Sequence, residues 1–263
     1  MNRDRKQLYE ELSLKDIGYL RVPAFEQAGG IRHAFTTRKN NLGARKGGIK
    51  TPGDWDAVAD AFGITPDKLI TVNQVHGENI VRIDVRRLID GKIDPRTIEA
   101  DALVTDAAGI VIGIETADCV PILLFDPGVP AVAAIHAGWR STVKKIVYQT
   151  VVRMGVEFGS RPERLLAAIG PAIGPECYEV DEPVMGPVRE AFPSWEEIAA
   201  PRENDCWGLD LVKANAKELM RAGLLEQNIH AIGLCTACRR DLFYSFRAEG
   251  RTGRMLSVIM IKP

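Results

Sequence analysis

The sequence predicts an α/β (α+β) chain in which mixed β-sheets are covered by helices, and three observations lead there. Apolar runs at residues 120–125, 131–135 and 255–261 have strand length and are rich in aliphatic and β-branched residues. Amphipathic stretches with helical spacing lie between the runs. Several runs pair as hairpins and no regular strand-helix-strand cadence links them, which points to mixed sheets rather than to a doubly wound one.

In order, residues 6–14 fit a short helix or a frayed terminus. Residues 31–38 alternate Ile31, His33 and Phe35 against Arg32, Ala34 and Thr36, the period of a strand, which makes His33 a packed structural histidine. Residues 40–48 form a polar, glycine-bearing loop after Arg38, either a solvated turn or a lip carrying phosphate-binding cations. Residues 54–62 read as a helix capped by Asp54, with Trp55, Val58, Ala59 and Phe62 buried. A strand at 70–76 ends on His76-Gly77, at the rim of a sheet, with 79–83 continuing as its neighbour. Strands follow at 100–105 and 109–115, then at 165–170, 229–234, 243–247 and 255–261, with helices at 181–192 and 211–222; Gly and Pro argue against regular structure at 171–180.

The stretch 114–142 organises the chain. Its two apolar runs flank Asp126-Pro-Gly-Val-Pro130, a reversal between paired strands. A hairpin centred between Pro127 and Gly128 sets Cys119 opposite His136. Opposed residues have Cβ atoms about 5 Å apart, and a thiolate and an imidazole on one tetrahedral zinc need donors about 3.5 Å apart. The hairpin can therefore hold half a metal site, although a strand Cys also serves as a small core residue and a His as a hydrogen-bonded structural one. A helix starting near Ser141 or Thr142, with Val143, Ile146, Val147 and Val151 on one face, would put Arg140 and free N–H groups beside the pair, where phosphate or carboxylate would bind. His76 is the candidate third ligand.

Composition bounds the function. The chain has 263 residues, 46% of them hydrophobic, enough for one large domain or two small ones. A net charge of −1 carries no nucleic-acid or membrane signal. The charged N-terminus lacks an apolar leader core and no run spans a bilayer, so the expected address is the cytoplasm. Five cysteines fit reduced thiols or metal ligands better than a disulfide framework. Cys235-Thr-Ala-Cys238 reads as half a zinc ribbon or a redox pair, but Cys177 and Cys206 lie too far apart to supply a ribbon's second pair, and Cys206 has no account.

Six blocks in order resemble the YfiH family: Asn73-Gln-Val-His-Gly77, Ala100-Asp-Ala-Leu-Val-Thr105, Thr116-Ala-Asp-Cys119, His136-Ala-Gly-Trp-Arg140, Ile173-Gly-Pro-Glu-Cys-Tyr-Glu-Val180, and Phe243-Tyr-Ser-Phe-Arg247 with Thr252-Gly-Arg254. Its members are also called laccase-domain or multicopper polyphenol oxidase proteins and are described as purine nucleoside phosphorylases. The resemblance runs from about residue 31 to the C-terminus. It implies a single domain over 1–263, with residues 1–25 a loosely attached segment. The implied architecture is a four-layer αββα sandwich similar to bacterial deamidating toxins with a Cys/His pair. It implies a zinc held by His76, Cys119 and His136, with purine nucleoside and phosphate as partners. The implied activities are phosphorolysis of adenosine, inosine, guanosine and methylthioadenosine, and deamination of adenosine.

Three mixed N and S ligands leave a fourth zinc position for water or substrate. Deamination at the purine C6 calls for a carboxylate to move protons, and Asp118 and Asp101 are the candidates. Phosphorolysis calls for a held phosphate, for which Arg38 and Arg140 lead, followed by Arg247 and Arg254. One departure touches Arg38: the family's longer glycine-rich loop is truncated here, with Asn41-Leu-Gly43 following almost at once. A multicopper centre needs more imidazoles than four histidines supply, while copper in the three-ligand site stays open. The alternatives are a metal-free Cys119/His136 thiol hydrolase or amidase acting on a peptidoglycan precursor, and a binding module without turnover.

Overall fold

The computed structural model describes residues 8–15, 17–39, 42–44, 55–84 and 97–263. Strands β1 (Glu10–Leu14), β2 (Ile17–Arg21), β3 (Ile31–Thr36), β4 (Leu69–Ile70), β7 (Val111–Thr116) and β15 (Met255–Ile261) form one sheet in the order β1-β2-β3-β15-β7-β4. A second contains β5 (Ile80–Arg82), β6 (Ala102–Thr105), β8 (Val120–Asp126), β9 (Ala131–Ala137), β10 (Leu166–Ile169) and β14 (Ile229–Ala231), ordered β14-β10-β8-β9-β6-β5. Strands β11 (Glu179–Val180), β12 (Ala199–Pro201) and β13 (Trp207–Leu209) make a small third sheet. Parallel pairs β4–β7, β5–β6 and β10–β14 sit among antiparallel ones, so both large sheets are mixed, as expected. The helices are α1 (Pro23–Ala28), α2 (Asp56–Phe62), α3 (Trp139–Val143), α4 (Ile146–Phe158), α5 (Glu182–Ala191), α6 (Leu211–Arg221) and α7 (Phe246–Glu249).

Three apolar interfaces show the layering, and strand alternation builds them. Leu123 and Phe125 of β8 and Val132 and Ala134 of β9 pack against Phe35, Ile112, Ile114 and Ile259, filling the space between the sheets. The alternate residues Val120, Ile122, Leu124, Ala133 and Ile135 meet Ile146, Val147, Val151, Leu211 and Ala214 of α4 and α6. On the opposite outer face, Leu256, Val258 and Met260 of β15 pack with Trp55, at the start of α2, and Val58 within it. The order helix, sheet, sheet, helix is the expected αββα sandwich.

The β8–β9 register differs from the sequence reading. Pro121, not Cys119, faces His136, and the ladder starts at Asp126↔Ala131. The loop holds four residues because Asp126 Oδ1 accepts from Gly128 N at 2.8 Å and Val129 N at 3.3 Å. The centre therefore moves by one residue and every pair by two. Since side chains alternate with period two, Cys119 and His136 keep the same face, as diagonal rather than direct neighbours.

Other expectations change locally. Residues 10–14 are a strand, and the N-terminal segment is not loosely attached from Ile17 on, because Leu20, Val22 and Phe25 are fully buried. Residues 70 and 80 lie in different sheets: after two residues of β4 the chain leaves the first sheet, carries His76 across irregular backbone, and enters the second at β5. The helix expected from residue 141 is broken at Lys145, at φ 64°, with Lys145 Nζ 2.9 Å from Glu218 Oε1. Residues 243–247 are not a strand, since Ser245 caps α7 through a bond from Ala248 N to Oγ. The Asp54 cap lies outside the described residues, as does most of the 40–48 loop.

Candidate metal centre and its cleft

His76, Cys119 and His136 come together at one end of the space between the large sheets, their ligand atoms all within 4.8 Å of one another. Cys119 Sγ is 3.8 Å from His76 Nε2, and the two imidazole rings meet edge to face with centroids 4.7 Å apart. Cys119 precedes β8 and His136 lies near the end of β9. His76 sits in the left-handed region at φ 58°, which turns its ring toward them. A methyl group on Gly138 would lie 2.9 Å from His76 Cδ2 and 3.1 Å from Cys119 Sγ, so the glycine of the His-Ala-Gly-Trp-Arg block leaves room for the donors.

Asp101 underlies the cluster. Fully buried just before β6, its carboxylate accepts from His76 N at 2.9 Å, Gly77 N at 2.6 Å and Val75 N at 3.3 Å, and pairs with His136 Nδ1 at 2.7 Å. Its own carbonyl accepts from His136 N at 2.7 Å. One side chain thus bends the 75–77 backbone and keeps a proton on His136 Nδ1, leaving Nε2 as the lone-pair donor. Asp101 is a positioning group here, not the free base considered from sequence. Asp118, at φ 92°, accepts from Thr236 Oγ1 at 2.6 Å and from Arg247 N at 2.7 Å, so it too is a structural acceptor, joining the cluster to the loop that carries Thr236 and to α7.

Burial alone would push the Cys119 thiol up, but the His136 and His76 rings outweigh it and bring it down to about 6. Burial would likewise lower His136, and the Cys119 sulfur and Asp101 carboxylate instead raise it to about 9. Without a cation the pair is therefore a thiolate beside an imidazolium. A metal would displace the Nε2 proton.

The donors open into a cleft of about 590 Å³ lined by Arg140, Arg247 and Arg254 and walled by Trp139, Tyr178 and Phe246. The Arg140 guanidinium lies over the Trp139 ring at 4.4 Å, and Arg247 donates to the Glu179 carbonyl at 2.7 Å. Arg254 donates to the Thr252 and Gly253 carbonyls. Arg38 is elsewhere: its guanidinium pairs with Glu249 at 2.6 Å, reaches the Arg240 and Phe243 carbonyls and lies over Tyr244. Tyr178, Glu115 and Gln74 line the cleft and were missed from sequence. Gln74 pairs with both backbone groups of Glu115, and its place beside His76 in the Asn-Gln-Val-His-Gly block was the available signal. His33 is structural as expected, with Nε2 accepting from Val22 N at 2.8 Å.

A family model described as "Multi-copper polyphenol oxidoreductase laccase" matches residues 26–262. The chain belongs to this family. It is 38% identical over 241 residues to a purine nucleoside phosphorylase of Deinococcus radiodurans, covering 87% of this chain and 88% of that one. Over 211 residues it is 36% identical to an adenosine deaminase, RL5, from an unknown prokaryotic organism, covering 78% and 79%. A crystal structure of the Bacillus licheniformis hypothetical protein YfiH superposes with a TM-score of 0.84 at 27% identity, covering 97% of this chain and 99% of that one. The family's descriptive name suggests several coppers, yet of four histidines His33 is capped in the core and only His76 and His136 line the cleft. The donor set fits one borderline-soft divalent ion.

Proposed function

We propose that the chain is a zinc-dependent purine nucleoside phosphorylase acting on adenosine, inosine, guanosine and methylthioadenosine, which also deaminates adenosine. His76, Cys119 and His136 are the metal ligands. What carries this reading is a three-donor N/S set, one imidazole held by a buried carboxylate, opening into an arginine-lined cleft. The names of the Deinococcus and RL5 relatives support the two reactions. Bound there, zinc supplies Lewis acidity at a position left for water or substrate. Arg140 and Arg247 offer forked donors to phosphate, and Trp139, Tyr178 and Phe246 offer flat faces to a purine. In phosphorolysis a phosphate oxygen bonds to the anomeric carbon as the glycosidic bond breaks, and the base leaves with the electron pair and gains a proton. In deamination a water oxygen bonds to purine C6 and ammonia leaves. The five unpaired cysteines suit a reducing, cytoplasmic setting.

The test incubates purified, metal-replete protein with adenosine, with and without phosphate. Phosphate-dependent adenine and ribose phosphate, together with inosine, are expected; neither product at any metal content would overturn the reading. The thiolate-imidazolium pair favours one rival, a Cys119/His136 thiol hydrolase. Stoichiometric zinc that disappears in Cys119→Ser supports the metalloenzyme, whereas a metal-free protein alkylated rapidly at Cys119 supports the hydrolase. Copper able to replace zinc in the same site would leave the ligand assignment intact.

A further inference from the structure

A second cluster of sulfur lies beyond Asp118. The Sγ atoms of Cys177, Cys235 and Cys238 are all within 4.8 Å of one another, and those of Cys177 and Cys238 are 3.4 Å apart. Cys177 and Cys206 lie too far apart to supply a ribbon's second pair, but the fold brings Cys177 alone to the Cys-x-x-Cys turn, because a parallel bridge pairs Ala172 with Cys235 and Thr236 N donates to the Ala172 carbonyl. The Gly174 amide donates to Cys235 Sγ at 3.2 Å, backbone support of the kind a thiolate accepts. A side chain at Gly174 would begin 3.5 Å from the same sulfur. Cys177 and Cys235 are partly exposed and Cys238 is exposed, so an ion can reach them.

We propose that Cys177, Cys235 and Cys238 form a second metal site, for a zinc-like divalent cation, that clips the 171–178 loop to the 232–245 loop. Three thiols lose three protons to take one such ion, and Glu176, whose Oε2 lies beside Gly174 on the same side as Cys235 Sγ, would close the fourth position directly or through water. The clip acts at a distance. Thr236, between the two cysteines of the turn, donates to Asp118 Oδ1, Ile173 N donates to the Asp118 carbonyl, and Tyr178, next to Cys177, walls the cleft. The site is structural, and the assignment is independent of the reaction proposed above.

Metal analysis of protein purified with zinc and a reductant tests it. Two zinc ions per chain are expected; Cys177→Ser with Cys238→Ser removes one, and Cys119→Ser removes the other. Because serine variants can misfold, wild-type protein is also stripped and titrated with cobalt(II), and a second equivalent that raises the thiolate-to-cobalt absorption is expected. The proposal is overturned by a wild-type content of one zinc or none that the Cys177→Ser/Cys238→Ser pair leaves unchanged, by cobalt saturation with the charge-transfer absorption of a single thiolate, or by a Cys177–Cys238 disulfide in the zinc-replete protein. Loss confined to the Cys119 variant condemns this site alone, and loss confined to the Cys177/Cys238 pair condemns the first.

Discussion

Asp101 directs its two carboxylate oxygens at three backbone amides and one imidazole, so one atom pair controls both the path of the His76 loop and the tautomer of His136. Asp101→Asn keeps the shape but turns an amide donor toward other donors. Zinc affinity measured against a chelator is expected to fall about 10- to 100-fold, with a stability loss of about 1–3 kcal/mol from the unmatched amides. Unchanged affinity would show that the carboxylate does not tune His136. In the metal-free protein, alkylation of Cys119 by iodoacetamide should rise with pH through about 6 rather than near the ordinary thiol value of 9.0, because His136 and His76 offset the burial that would keep the thiol protonated. Saturating zinc should suppress it, and a midpoint near the ordinary value would refute the thiolate-imidazolium pair. The meeting of His76, Cys119 and His136 was legible in the residues because a strand-end His and a hairpin Cys/His pair leave local traces. The partner of His136 was not, since it depends on which strand lies beside β9.

At the scale of elements, Arg38 joins the end of β3 to the 240–249 segment. Arg38→Ala is expected to cost about 1 kcal/mol, from a partly shielded ion pair and a contact with Tyr244. It should leave the KM for phosphate unchanged, whereas Arg140→Ala and Arg247→Ala should raise it several-fold. The opposite pattern in phosphate kinetics would restore Arg38 to the site. On β3, burial and then the charge of Arg21 lower His33 to about 3 from 6.5. The unfolded chain therefore binds a proton that the folded chain refuses, and stability falls as pH drops from 6.5 toward 3, by up to about 1.4 kcal/mol per unit. Denaturant melts of His33→Gln across that range should show a shallower slope; an identical slope would assign the acid sensitivity elsewhere. The hairpin slip shows how element-scale reading errs. Asp126 lengthened the loop, yet period-two alternation preserved the face that matters.

For the whole molecule, the space between the sheets is the largest shared commitment. Leu123 is fully buried there among residues of both sheets. Leu123→Ala is expected to cost about 2–5 kcal/mol in chemical denaturation, without changing the zinc stoichiometry of the protein that remains folded. A loss below 1 kcal/mol would mean that the sheets pack less tightly than this interface requires. The amino-acid sequence by itself determined the mixed α/β class, most strand positions and the donor types, because hydrophobic periodicity and residue chemistry are local properties. Tertiary structure alone decided that 70 and 80 belong to different sheets, that Arg38 turns away from the cleft while Arg140 and Arg247 line it, and that Cys177 meets Cys235 and Cys238. Those outcomes rest on contacts between segments remote in the chain, whose pairing is chosen by burial of the whole core rather than by any stretch of it.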